Sequence, residues 1–119
     1  MFGKIKELFE TYSESSSIHP DPTLRSLNVN MGITNLTNSI IDILLALKYK
    51  TIRYNETFNE IYTKKDDFEV TIHFVGATIG STTINVSVFS KIHRGKTRKA
   101  LRFLLNKFKE EFSSYLAHE

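Results

Sequence analysis

The sequence predicts a two-layer α+β domain, an antiparallel sheet of about four to five strands with helices packed on one face, in the order α-β-α-β-β-β-β-α. Three observations carry that reading. Phe68, Val70, Ile72 and Phe74 alternate with polar residues, and Ile84, Val86 and Val88 do the same, which is the period of half-buried strands. Leu101, Leu104, Leu105, Phe108, Phe112, Tyr115 and Leu116 recur at three and four, the period of an amphipathic helix over 96–117. The 119 residues, 40% hydrophobic and 24% charged, suit a single globular domain with its own core.

The elements follow in chain order. Phe2, Ile5, Leu8, Phe9 and Tyr12 form one apolar stripe, predicting a short peripheral helix over 1–12. Such a short helix is marginal alone and needs a surface to dock on. Residues 13–22 carry four serines and two prolines and read as a linker, with the core over 23–119. Leu24 to Met31 reads as a strand. After Gly32, Thr34 or Asn35 is placed to cap a helix with Leu36, Ile40, Ile43, Leu44 and Leu47 at its core positions. Ile41 and Leu45 widen its apolar face, which suggests contact on a second side. Tyr49–Tyr54 and Thr57–Tyr62 read as two short strands turning at Asn55-Glu56.

Pairing Phe74 with Ile84, Ile72 with Val86 and Val70 with Val88 puts both apolar sets on one face. A slip of one residue would undo it. The segment between them, from Gly76 to Thr82, reads as a mobile, glycine-containing loop. This order of elements resembles one repeat of the TATA-binding-protein fold, or a trimmed helix-grip domain, over most of the chain. The resemblance implies helices on one face of an antiparallel sheet. It brings no motif residue, so no functional residue follows from it.

Cysteine is absent, which excludes disulfides, cysteine nucleophiles and thiolate metal sites and fits a reducing, cytoplasmic setting. The start of the chain lacks the apolar run of a signal peptide. The most apolar segment, Ile40 to Leu47, is far shorter than the roughly 20 residues of a membrane span. His19, His73, His93 and His118 are scattered without the spacing of a zinc site. Among them His73 is the best general-base candidate, being on a strand near Glu69 or Asn85. Gly76 to Ser81 lacks the lysine of a phosphate loop and precedes a strand rather than a helix. Glu56 and Glu60 have no complementary acid, pocket or metal set. Enzyme chemistry is therefore disfavoured, and no cofactor is implied.

Charge is unevenly placed. The formal net charge is +3, yet residues 1–90 hold eight Lys/Arg against ten Asp/Glu. Lys91, Arg94, Lys96, Arg98, Lys99, Arg102, Lys107 and Lys109 follow with no acidic residue among them. The first six are the candidate anion-binding set. Lys96, Arg98 and Lys99 stand at the start of the last helix, where the macrodipole disfavours cations by about 0.3–1 kcal/mol each. Phe103 lies opposite the apolar stripe, close in angle to Lys99 and Lys107.

The leading expectation is a non-catalytic interaction or assembly module. It would be a homo-oligomer or bind a protein partner, with Phe103, Ile41 and Leu45 as candidate partner contacts. The alternatives are binding of nucleic acid or another polyanion through 91–109, and carriage of a small apolar ligand between helix and sheet.

Overall fold

The computed structural model describes residues 11–78, 80–92 and 95–116. It is an α+β fold in which two helices lie against a six-stranded antiparallel sheet. The strands are β1 (Tyr12–Glu14), β2 (Leu27–Val29), β3 (Lys50–Asn55), β4 (Glu60–Lys65), β5 (Phe68–Thr78) and β6 (Ser81–Phe89). The helices are α1 (Ile33–Ala46) and α2 (Thr97–Glu111). The helix expected over 1–12 lies outside the described residues except at its end, where Tyr12 opens β1 instead.

The β5–β6 ladder has the register that the alternation requires: Val70 opposite Val88, Ile72 opposite Val86, Phe74 opposite Ile84. All six side chains are buried at 1% exposure or less. The two strands extend to Thr78 and resume at Ser81, with a register shift between Gly76 and Thr78. Most of the expected loop is thus paired strand. Gly80 takes φ +84°, the left-handed conformation that costs glycine least. β4 adds to β5 with Ile61 opposite Ile72, and β3 adds to β4 as the far edge. β3 and β4 begin and end later than the expected strands, at 50–55 and 60–65. Asn55 moves the turn: its Oδ1 accepts from Thr57 N (3.1 Å) and Phe58 N (3.3 Å), and Asn59 adopts φ 50°.

The near edge is split. β1 pairs with the C-terminal end of β6, Ser13 opposite Val88, while β2 pairs with its N-terminal half, Leu27 opposite Ile84. The chain leaves the sheet between them. Ser15 covers the break: its N–H donates to Val86 O (2.8 Å) and its Oγ accepts from Val86 N (2.8 Å). The segment read as linker therefore contributes a strand and its ending, and raises the strand count to six. Only Leu27–Val29 of the expected 24–31 strand pairs in the sheet. Leu24 instead ends a 3-10 turn, Pro22–Leu24, and is buried.

Leu36, Ile40 and Leu44 of α1 and Leu101, Leu104, Leu105 and Phe108 of α2 join the buried face of the sheet in one core. Ile43 and Leu47 pack only partly against it. α1 starts two or three residues earlier than expected, at Ile33, with Gly32 at the N-cap and no side-chain cap. Thr34 and Asn35 are inside the helix. At its other end Lys48 N donates to Leu45 O and Tyr49 N to Leu44 O, a Schellman closure with Lys48 at φ 71° where glycine is usual. α2 ends at Glu111; Phe112 stays buried, and Leu116 bridges Val29.

Two stability outcomes follow from this packing. Phe108→Ala should lower unfolding free energy by about 3–5 kcal/mol in urea titration, since Phe108 is fully buried. Lys48→Gly should raise it by about 1 kcal/mol by relieving the left-handed residue.

Candidate functional site

The Schellman closure delivers Tyr49 to a surface groove of about 320 Å³ between the β4–β5 turn and the first turns of α2. Tyr49, Phe68, Ala100 and Phe103 line it, with Lys65, Asp66, Lys96 and Lys99 around them. Each position has a local cause. Lys65 and Phe68 are the last paired residues of a two-residue hairpin, and Asp66 takes φ 54° in its loop. They share the helix-facing side of the sheet with buried Thr63 and Val70. Lys96, Lys99 and Phe103 lie at spacings of three and four along α2, and so share one flank.

The groove is amphipathic. Tyr49 is 7% exposed, Phe103 is 55% exposed, and the Lys65 ammonium lies 5.5 Å from the centroid of the Tyr49 ring. That distance is within reach of a cation–π contact. The Tyr49 hydroxyl is pushed up to about 12, first by burial and second by the Asp66 carboxylate. No acidic residue occupies the first turn of α2, and no side chain caps it. The positive end of the helix thus coincides with Lys96 and Lys99. The helix start is instead anchored through its buried side, where Ser13 Oγ and Thr97 Oγ1 lie 2.8 Å apart.

The remaining candidate anion contacts do not join this cluster. Arg102 is committed to its own chain: Nη2 donates to Asp21 Oδ2 (3.0 Å) and Nε to Thr23 Oγ1 (2.9 Å). Thr23, through its hydroxyl and N–H, and then Arg102 hold the Asp21 carboxyl down to about 2. Arg98 faces a different hollow, lined by Ser13, His19 and Leu24. Lys107 lies 3.6 Å from Glu111. Lys91 is exposed, beyond the end of β6, and Arg94 lies outside the described residues. Of the other candidate partner contacts, Ile41 is half-buried against the core and Leu45 is 56% exposed. Sequence reasoning missed Tyr49, Lys65 and Phe68, because their approach to α2 depends on helix-to-sheet packing.

Comparison with protein-family models, curated proteins and solved structures returns no match. Among the described residues no helix is long and apolar enough to cross a membrane, and no group of three or more His, Cys, Asp or Glu could hold a metal ion. His73 does face Asn85 and Glu60 across the ladder, as neighbours on the open side of the sheet.

The Tyr49 environment gives a pH signature. The folded state favours the neutral phenol, so its contribution is constant below the ordinary tyrosine value of 10.0 and is lost as pH rises through about 12. Ultraviolet titration of tyrosinate should show a late step that Tyr49→Phe removes, with the variant's stability falling less between those pH values.

Proposed function

We propose that the protein is a non-catalytic binding module whose partner is another protein, engaged through an acidic segment with an apolar anchor. The observation that carries this reading is the convergence of Lys65, Lys96 and Lys99 around Tyr49, Phe68 and Phe103. The apolar floor receives a side chain, and the ammonium groups pair with flanking carboxylates.

A nucleic-acid backbone is the less favoured ligand. Phosphate tracking needs an extended run of free cations. Here Arg102 is spent on Asp21, Lys107 sits beside Glu111, and Arg98 faces another hollow. A local cluster suits a short acidic motif better. Carriage of an apolar ligand has weaker support, because Leu36, Ile40, Leu44, Leu101 and Phe108 fill the helix–sheet interface. Self-association through α1 rests on Leu45 alone, since Ile41 turns toward the core.

The α2 first turn supplies the test. Lys99 is its third residue, a position where the macrodipole favours glutamate. Lys99→Glu should therefore leave the melting temperature unchanged or raised, yet weaken binding of a Glu/Asp-rich peptide with a central phenylalanine by tenfold or more. Phe103→Ala should also weaken it, and added salt should weaken wild-type binding. Unchanged peptide affinity in both variants, or tighter binding of a single-stranded oligonucleotide than of the peptide, would overturn the reading.

A further inference from the structure

The open face of the sheet carries a second concavity, of about 550 Å³, remote from the lysine groove. Its origin is the split edge. β1 stops at Glu14, Ser15 stays bonded to Val86, and Ser15 to Ser17 wall the opening. On β5 and β6 the outward positions are small: Thr71 and Ser87 stand opposite one another and form the floor. One pleat further on, His73 lies between Asn85 and Glu60. Tyr12 closes the rim at 49% exposure, its hydroxyl donating to Glu14 Oε2 (3.0 Å). The volume falls within the roughly 300–1,000 Å³ of small-molecule sites, but the lining is polar where such sites are ordinarily apolar.

The rim of this lining is hydrogen-bonded within itself, Tyr12 engaging both Glu14 and Ser87 and Ser15 Oγ engaging Val86 N, and the free capacity lies toward β4 and β5. Ser26 Oγ donates to Asn85 Oδ1 at 2.5 Å, which fixes the amide and leaves its NH₂ group as donor. Among the described residues, the side chains of Thr71, His73 and Glu60 have no hydrogen-bond partner. The Glu60 carboxylate only accepts, the amide NH₂ only donates, and the Thr71 hydroxyl does both. Among the described residues no lysine or arginine lines the concavity, and two glutamates do, which disfavours phosphates and carboxylates there.

We propose that this concavity binds a small polyhydroxylated ligand of the sugar class, uncharged or carrying an amino group. Adjacent hydroxyls that donate to Glu60 and accept from Asn85 match the lining, and the exposed Tyr12 ring offers a surface for the C–H face of a pyranose. The mixture of donors and acceptors separates this site from a simple acidic cation trap. It rests on different residues from the lysine groove and stands or falls independently of it.

The experiment is amide-resolved NMR of the intact protein, titrated separately with glucose, N-acetylglucosamine, cellobiose, spermidine and inorganic phosphate. At least one sugar should shift the amides of Thr71, His73, Asn85 and Ser87, and phosphate should not. Glu60→Gln should weaken the sugar's binding by roughly tenfold or more, through loss of a charged hydrogen-bond acceptor. Ser87→Leu should fill the floor and abolish the shifts while the rest of the spectrum stays folded. Should that variant unfold, Thr71→Val removes a floor hydroxyl at nearly constant volume and should weaken binding as well. Absence of sugar-induced shifts at high millimolar concentration would overturn the proposal, as would shifts from spermidine alone.

Discussion

The constraint on which the rest of the structure depends is the register of β6. This strand pairs with three others, and its alternate residues face two different environments. Thr82, Ile84, Val86 and Val88 are buried beneath the helices, while Thr83, Asn85 and Ser87 look outward. A slip by one residue would place amide and hydroxyl groups in the core and the aliphatic set in water. At roughly 1.5–3 kcal/mol for each large apolar side chain exposed, that exchange is comparable to the whole stability of an ordinary domain. The same register places His73 opposite Asn85 and Thr71 opposite Ser87, so folding and the open-face chemistry are fixed by one ladder.

The lysine groove and the open-face concavity differ in charge because different elements line them. The concavity of the open face is lined by Glu14 and Glu60, whereas the start of α2 carries Lys96 and Lys99 with no acidic neighbour in its first turn. Nothing in the packing of α2 requires those lysines; Thr97, Leu101, Leu104, Leu105 and Phe108 supply its buried face. Arg102 shows the contrast. It has a structural task, tying the Asp21–Thr23 turn to the helix, and Leu24 of that turn enters the core. Two neighbouring cations on one helix thus serve different ends. The guanidinium holds the fold's own excursion in place, and the Lys96 and Lys99 side chains border the groove.

The fold was largely legible because its strongest elements are periodic. The β5–β6 pairing and the apolar stripe of α2 follow from side-chain alternation and helical spacing alone. The serine-rich segment was less legible. Its composition resembles a linker, but Ser13 is buried opposite Val88 and Ser15 substitutes for a departing strand at Val86. A small hydroxyl residue suits both a loop and an edge of this kind, and local composition does not separate the two. Helix boundaries shifted for a similar reason. Gly32 serves as N-cap without a side-chain bond, and Lys48 adopts the left-handed closure usually given to glycine.

By itself the sequence determined the α+β class, the register of the central hairpin, the apolar faces of both helices and the concentration of basic residues after position 90. These depend on neighbours within a few positions or on a period that pairing must respect. Only the tertiary structure decided which basic residues remain available and what lies beside them. Asp21 reaches Arg102 across 81 positions, and Tyr49, Lys65 and Phe68 meet Lys99 and Phe103 only when the helix and sheet are packed. A charge count along the chain records none of these meetings, because neutralisation and convergence are properties of distance in space.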